Sequence, residues 1–388
     1  MPAQNTTSAN SKIWKLSAFN STVKMLIMSV SFFWAIFYKS IGFSGAEIGI
    51  IFGLATITGL VTVLPSGFIN DKFKSKDLIT IAILLLAAQF IGISQFQSFP
   101  AILFFATLGG IGQHLYATSA DSLFYKSTKK KNVTQKIAIY HSLNYFALGT
   151  GIILSEFALD FNIPFEELIL GLGCGFIVLS LIARALQSNI TTDFNFLNYK
   201  TDLLRPKVIF FMSIVFLFAI HYGAEATSYG LFLEDTLGLS KKFVGLYMGL
   251  AIFLMGIWSI IFAKSLKFIK VKSLLFTGLI LSSLGHILMT NRDPIYSFIF
   301  RTFHEAGDAA MFVFFAYGIT KMFDVKRLGG NTGIFTFTTI LGGAIGSLMF
   351  GPIGEKFGYH VPLIVTGGIL ALGFVLALIF NKLILEKK

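Results

Sequence analysis

Four ionisable residues lie close together inside one apolar stretch, "FIFRTFHEAGDAAMFVFFAYGI", at residues 298–319. On a helix, Arg301, Glu305 and Asp308 share one face because their spacing is i, i+4, i+7. His304 lies beside them, four residues before Asp308. Buried carboxylates and histidines exchange protons near neutral pH, and an arginine binds anions through its planar fork. The pattern therefore indicates a site for protons, an anion or a metal ion.

The segment "HEAGD" at 304–308 differs by one residue from the zinc-protease motif H-E-x-x-H. Asp308 stands where the motif has its second histidine, and two histidines at i and i+4 are what hold the metal from one helix face. We therefore disfavour an intramembrane metalloprotease and expect neither an enzyme nor a resident metal or other cofactor. A divalent-metal transport site stays open as an alternative. Its candidate ligands are His221, Glu225, His304, Glu305 and Asp308.

The composition is that of an integral membrane protein. The 388-residue chain is 55% hydrophobic, with 44 Phe and a mean hydropathy of +0.76. Only 13% of its residues are charged, which is about half the share of a soluble domain. Long apolar runs predict helices, because each segment must satisfy its own backbone in lipid. The predicted fold is an all-α polytopic protein with twelve transmembrane helices near 14–39, 46–70, 77–97, 100–125, 135–159, 166–187, 207–233, 242–263, 272–291, 294–322, 329–354 and 359–381.

The basic residues predict the orientation of these spans. Most of the 31 Lys and Arg residues fall near the termini and in the even-numbered loops. The positive-inside rule then places both termini in the cytoplasm. Loops that face anionic lipid also explain the net charge of +12, so we expect the lipid bilayer and no nucleic acid as a partner. The single Cys174 excludes an internal disulfide.

An internal repeat divides the chain into two halves. The segment "GFSGAEIGIIFGLA" at 42–55 matches "GLSKKFVGLYMGLA" at 238–251, 196 positions further on. We infer an N-terminal six-helix half at 1–187, a cytoplasmic linker at 188–206 and a C-terminal six-helix half at 207–388. Two parallel repeats about an axis normal to the membrane are the architecture of one large transporter class.

The loop "GFINDKFKSK" at 67–76, between the second and third predicted spans, resembles the signature of the major facilitator superfamily. The resemblance implies a conformational latch formed by Gly67, Asp71 and Lys72. Gly67 would allow close helix packing, and Asp71 would act as a helix N-cap. The usual second glycine of the signature falls on Lys74 or Ser75. The equivalent loop of the second half, "AKSLKFIKVK" at 263–272, has lost both the glycine and the acid.

The resemblance also implies that spans one, four, seven and ten line a central cavity. An ionisable group inside a membrane costs about 2.5–3.5 kcal/mol on insertion scales, so it normally faces such a cavity. These four spans hold most of the buried ionisable groups, namely Lys24, His114, Asp121, His221, Glu225, Arg301, His304, Glu305 and Asp308. Glu225 and Arg301 lie at similar depth, so we expect them to pair, in either a structural or a functional role. We interpret His286 as a hydrogen-bonded interhelical histidine.

The expected function is that of a monomeric secondary active transporter in a bacterial inner membrane, working by alternating access. We expect proton-coupled uptake of a small organic anion. The predicted substrate-binding residues are Lys24, His114 and Arg301. The predicted proton-coupling residues are Glu225, Glu305 and Asp308, with His221 and His304 as relays.

Two departures from the family pattern bear on this expectation. Many members carry an arginine in span four where this chain has Ala106, and the proline-containing antiporter motif is absent from 145–158. The absence of this motif disfavours a drug/proton antiporter. Export of a drug, metabolite or siderophore stays open as an alternative, as does a non-transporting membrane receptor or scaffold.

Overall fold

The computed structural model describes residues 4–127, 133–186, 203–323 and 328–384. All regular secondary structure within these ranges is helical. The α-helices are α1 (Gln4–Met28), α2 (Phe33–Ser40), α3 (Gly45–Lys72), α4 (Ser75–Gln95), α5 (Phe99–Ser127), α6 (Val133–Asp160), α7 (Phe165–Ala183), α8 (Pro206–Ala224), α9 (Lys241–Ser265), α10 (Val271–Leu288), α11 (Pro294–Met322), α12 (Leu328–Phe357) and α13 (His360–Ile379).

These helices form the twelve predicted spans. The first span is α1 followed by α2, with a turn between them. The seventh span is α8 continued by two π-helical segments, Glu225–Tyr229 and Phe232–Thr236. Such π-helical segments are rare and frequently lie at functional sites. The prediction of an all-helical polytopic fold is confirmed.

Ten of the spans in the described ranges are long and apolar enough to cross a membrane. The other two are α5 and α11, each 29 residues long. Both helices are long enough to cross a membrane, but their polar and ionisable side chains lower their mean hydropathy. They are spans four and ten, which were both expected to line the cavity. Their reduced apolarity fits that position.

The repeat residues begin the second helix of each half in the same way. Gly42 and Gly238 both have positive φ, at 96° and 66°. Glycine adopts this left-handed conformation without the steric cost that a Cβ would add. Ser44 and Ser240 then occupy the N-cap positions of α3 and α9. Two stretches of similar sequence therefore make the same turn before equivalent helices.

The repeat glycines also pack the two halves against each other. Gly49 of α3 lies against α12, where a Cβ would be 3.0 Å from the carbonyl oxygen of Ser347. The equivalent Gly245 of α9 lies against α6, where an added Cβ would be 2.2 Å from the Cβ atom of Glu156. Each half thus contributes one glycine-bearing helix to a contact with the other half. The two repeat segments therefore take part in matching helix contacts.

The structure corrects two expectations about the predicted latch, the N-cap role of Asp71 and the close packing at Gly67. Asp71 does not cap α4, because α3 continues through Lys72 and the N-cap position of α4 is Lys74. No glycine or proline follows Gly67 in this stretch, so nothing in the sequence ends the helix earlier. Position 67 is also open, since no described atom lies within 4 Å of where its Cβ would be. Close packing therefore gives no reason for a glycine there.

Other parts of these predictions fall outside the described residues. The side chains of Asp71 and Lys72 are among them, so their role in a latch stays a prediction. Residues 188–202, which are most of the predicted linker at 188–206, are also outside the described ranges. The boundaries between the halves and the linker stay predictions as well.

Candidate functional site

A cluster of ionisable side chains lies inside the C-terminal half. Three helical segments supply it: α8 with the π-helical segment that follows, α10, and α11. Seven members form it: His221, Glu225, His286, Arg301, His304, Glu305 and Asp308. Every one of these side chains is buried except that of Glu225, which is 12% exposed. Six of the seven are the residues that the sequence singles out on spans seven and ten, and the seventh is His286 on α10.

Arg301 is the centre of charge in this cluster. Its guanidinium contacts the carboxylate of Glu225 and lies 2.6 Å from Oε1 of Glu305. It also sits over the ring of Tyr229, 4.7 Å from the centroid, where a cation is attracted to the face of the ring. The predicted contact between the side chains of Glu225 and Arg301 is confirmed. Glu305 is a second partner, so one cation serves two buried carboxylates.

His304 connects this charge centre to Asp308. Its Nε2 atom lies 3.1 Å from Oε1 of Glu225 and 3.7 Å from Oδ2 of Asp308. Asp308 also lies 3.2 Å from Nε2 of His221 and accepts a hydrogen bond of 2.6 Å from the hydroxyl of Ser282. The contacts therefore run without a break from Glu305 through Arg301, Glu225 and His304 to Asp308 and His221.

Three imidazole rings of the cluster are oriented in the same way. In each ring Nδ1 lies against a main-chain carbonyl oxygen, and Nε2 faces a carboxylate. The carbonyls belong to Phe218 for His221, to Ser282 at 3.1 Å for His304, and to Leu363 at 2.9 Å for His286. Because a carbonyl oxygen only accepts hydrogen bonds, the contact places a proton on each Nδ1.

Two hydroxyl groups near these nitrogens agree with that assignment. Ser282 Oγ is 3.1 Å from Nδ1 of His304 but donates its own hydrogen to Asp308. Thr366 Oγ1 is 3.0 Å from Nδ1 of His286 but donates to main-chain carbonyls of its own helix, α13. Both oxygens are left to accept from the ring. The proton on Nδ1 is therefore consistent with every neighbour.

The orientation of the rings determines what the cluster can hold. With its proton on Nδ1, a neutral histidine presents a lone pair at Nε2. This lone pair would meet a carboxylate oxygen at His221–Asp308, His304–Glu225 and His286–Glu225, the last pair being 3.6 Å apart. Two acceptors in such contact repel unless a proton or another cation lies between them. Each contact is therefore a position for positive charge.

The two predicted substrate-binding residues of the N-terminal half are separate from this cluster. Lys24 lies on α1, where its charge interacts with that of Asp121. His114 lies on α5, and its ring packs directly on Gly59 of α3. Within the described ranges neither residue pairs or hydrogen-bonds with Arg301, the third predicted member of the substrate site. The structure thus brings together the predicted proton-coupling residues and leaves the predicted substrate residues in different halves.

Sequence reasoning missed two members of the site on α10. His286 was interpreted as an interhelical histidine, and it does hydrogen-bond to Leu363, but its Nε2 also faces Glu225. Ser282 orients both His304 and Asp308, but a neutral serine carries no charge that would mark it in an apolar span. The two residues are four apart and so share one helix face. This spacing is the feature of the sequence that could have identified both residues as members of the site.

Comparison with solved structures supports the architecture. The chain superposes on a bacterial homologue of the human lysosomal transporter Spinster, captured inward-facing and unoccupied, with a TM-score of 0.78 and 12% identity over 97% of both chains. It also superposes on the nucleoside transporter NupG with a TM-score of 0.72 and 12% identity, over 97% of this chain and all of that one. At such low identity the likeness shows the fold alone.

Sequence comparison gives the family. The multidrug resistance protein MdtH of Aeromonas hydrophila is 26% identical over 150 residues, which is 39% of this chain and 37% of that protein. The match therefore spans little more than a third of this relative. The profile described as Major Facilitator Superfamily matches residues 16–269 and 211–383, which together cover nearly the whole chain. The chain belongs to the Major Facilitator Superfamily of membrane transporters.

Proposed function

We propose that this protein takes up a small organic anion together with protons, by alternating access. The observation that carries the proposal is the arrangement of Arg301 between Glu225 and Glu305 inside the membrane-spanning half. One guanidinium cannot neutralise two ionised carboxylates and bind a third at the same time. Solute binding and carboxylate ionisation therefore compete for the same cation.

Protonation resolves this competition. When Glu225 or Glu305 takes up a proton, it loses its charge and its hold on Arg301 weakens. The planar fork of Arg301 is then available for the carboxylate or phosphate of a solute. One proton and one negative charge enter together, so the charge of the cluster stays the same. The release of the proton on the other side restores the ion pairs and expels the anion.

The histidines supply a path for the protons. His304 lies between Glu225 and Asp308, and His221 lies next to Asp308. Each Nε2–carboxylate contact can hold one proton, so a proton can move along the cluster by small shifts. Lys24 and His114 would then contribute contacts to the solute from the other half of the transporter. We place the protein in a bacterial inner membrane, with both termini in the cytoplasm.

The test separates proton coupling from solute binding. Purified protein in proteoliposomes is assayed for pH-driven accumulation and for substrate counterflow, with a panel of organic anions. Glu305→Gln and Asp308→Asn mimic the protonated acids, so accumulation is expected to fail while counterflow remains. Arg301→Lys keeps the charge but loses the fork, so it is expected to weaken binding and reduce both activities.

Glu167→Gln is the matched control, because Glu167 is an exposed acid in the first turn of α7. It is expected to behave like the parent in both assays. If Glu305→Gln and Asp308→Asn also accumulate solute like the parent, the cluster has a structural role only and the proposal fails.

A second candidate function is proton-driven export. The observation that favours it is the partial match to MdtH, whose name describes a multidrug resistance protein. The same vesicles distinguish the two candidates through the sign of the imposed gradient. An importer accumulates solute on the side of higher pH, whereas an antiporter accumulates it on the side of lower pH.

A further inference from the structure

We propose that His221, His304 and Asp308 bind one divalent first-row transition-metal cation of the Zn²⁺ type. The inference rests on the proposed function, since the cation would occupy the coupling cluster in place of protons. The three ligand atoms are Nε2 of each histidine and Oδ2 of the aspartate. All three residues are buried inside the C-terminal half.

The distances between the ligand atoms suit such an ion. Oδ2 of Asp308 is 3.2 Å from Nε2 of His221 and 3.7 Å from Nε2 of His304. All three atoms lie within 4.8 Å of one another. Ligands at zinc bond lengths in tetrahedral geometry are about 3.3 Å apart. Movement of the His304 ring toward Asp308 would bring its Nε2 to such a separation and leave a fourth ligand position for another group.

The surroundings hold the three ligands in the required orientation. A histidine that ligates a metal normally donates its other ring nitrogen to a carbonyl or carboxylate, which fixes the tautomer. His221 and His304 meet this condition through the main-chain carbonyls of Phe218 and Ser282. The hydroxyl of Ser282 also holds the second oxygen of Asp308 at 2.6 Å. These contacts leave Nε2 of both histidines as the nitrogen that faces a carboxylate, as a metal ligand requires.

The charges of the cluster favour a cation bound by His221, His304 and Asp308 over one bound by a neighbouring group of ligands. Glu225, His286 and His304 form a second group with ligand atoms in reach of one another. Arg301 contacts Glu225, however, and would repel a cation bound there. Asp308 has no arginine or lysine among its contacts in the described ranges. The cation should therefore prefer the side of the cluster that carries Asp308.

The ligand types indicate the class of metal. Two imidazoles and one carboxylate suit zinc, cobalt, nickel or copper, whereas calcium and magnesium prefer sites made of oxygen alone. A metal requires the Nε2 lone pairs, so it must displace any protons held at the His221–Asp308 and His304–Asp308 contacts. Metal binding is therefore expected to release protons and to weaken as the pH falls.

The experiment uses the full-length protein, purified in detergent without a histidine tag. Isothermal titration with Zn²⁺ is carried out in two buffers of different protonation enthalpy, and Co²⁺ is titrated with detection of its visible absorption. We expect one ion per chain, the intense Co²⁺ bands of a tetrahedral site, and an apparent enthalpy that differs between the buffers because protons are released. Ca²⁺ is expected not to compete.

Variants assign the site. Ser282→Ala removes a group that orients the ligands and is expected to weaken binding about 10–100-fold. His221→Gln, His304→Gln and Asp308→Asn are each expected to weaken it more. His360→Gln is the matched control, since His360 lies at the start of α13 and outside the cluster.

Two results would overturn the proposal. One is the absence of Zn²⁺ binding or of proton release in the parent protein, which needs no variant and so does not depend on variant folding. The other is a parent-like affinity in the three ligand variants. The measurement involves no gradient and no solute. If Zn²⁺ does not bind but Glu305→Gln still loses pH-driven accumulation, only the metal site is rejected. If Zn²⁺ binds but Glu305→Gln accumulates solute like the parent, only proton coupling is rejected.

Discussion

Lys39 and Asp235 stand 196 residues apart, and their side chains form an ion pair. The same offset relates the two halves of the chain, so the pair joins equivalent positions at the ends of the first and seventh spans. A second ion pair, Lys242–Asp160 at 2.8 Å, links α9 to the end of α6 nearby. Both pairs lie at the end of the molecule that carries the odd-numbered loops. The two halves are therefore in contact with each other at this end.

Locking this contact is expected to stop transport. In a Cys174→Ser background, Lys39→Cys and Asp235→Cys are joined by a short bismaleimide reagent. Alternating access requires the halves to separate at this end, so the cross-link should abolish counterflow in proteoliposomes. The measurement is counterflow before and after treatment, with cross-linking followed by mass spectrometry.

A matched pair of cysteines within one half provides the control. Gln97 and Glu166 are hydrogen-bonded at 3.0 Å at the same end of the molecule, but both belong to the N-terminal half. Cross-linking Gln97→Cys to Glu166→Cys should leave counterflow intact. Full activity in the cross-linked Lys39/Asp235 pair would show that the halves need not separate here.

Arg301 is expected to contribute more to stability than Glu225 does. Arg301→Gln leaves two buried carboxylates without their cation, a loss of about 3–5 kcal/mol for a broken buried pair. Glu225→Gln leaves Arg301 still paired with Glu305, so its cost should be smaller. The measurement is the melting temperature in detergent of both single variants and the double variant.

The double variant tests whether the two residues are coupled. Glu225→Gln with Arg301→Gln should be more stable than the sum of the single losses predicts. The recovery should be incomplete, because Glu305 then lacks a cation. If the losses of stability in the two single variants simply add in the double variant, Glu225 and Arg301 are not energetically coupled.

The orientation in the membrane is expected to follow the basic residues. In the Cys174→Ser background, Lys130→Cys and Lys326→Cys should react with an impermeant maleimide only in inverted vesicles. Lys241→Cys at the start of α9 should react in intact cells. Permeable maleimide, which should label all three, controls for reactivity. Labelling of Lys130→Cys from outside intact cells would reverse the assignment.

Much of the C-terminal cluster could be predicted from the sequence because helix geometry places residues by their spacing. Arg301 and Glu305 are four apart on one helix, and their contact needs no knowledge of the tertiary fold. The contact between Glu225 and Arg301 followed from their similar depth in two cavity-lining spans. The first prediction depends only on helix period, whereas the second also depends on the cavity-lining spans that the family resemblance implies.

The ring orientations could not be predicted in this way. They depend on carbonyl groups of other helices, such as that of Leu363 on α13 facing His286 on α10. The partner lies 77 residues away, and nothing in the local pattern specifies it. Neutral polar residues were overlooked for a different reason. Asn20 hydrogen-bonds to Asn144 and to Tyr116 inside the N-terminal half, but a neutral side chain lacks the charge whose cost in lipid marks a residue as functional in the sequence.

The repeat glycines lead to a last prediction about the balance between conformations. A Cβ at Gly245 would lie 2.2 Å from Cβ and 2.4 Å from Cγ of Glu156. These atoms are close to the backbone of α6, so they cannot move away as the tip of a flexible side chain would. Gly245→Ala should therefore force α9 away from α6 and disfavour the conformation in which the halves touch at this end.

The yield of the Lys39→Cys/Asp235→Cys cross-link measures that conformation directly. It is expected to fall in Gly245→Ala, because the closed arrangement is less populated. Gly171→Ala on α7 is the matched control, since no described atom lies within 4 Å of where its Cβ would be. The control should give the parent yield and the parent rate of counterflow. If Gly245→Ala also gives the parent yield of cross-link, α6 and α9 tolerate the added methyl group. The close contact at Gly245 would then not determine how the two halves meet.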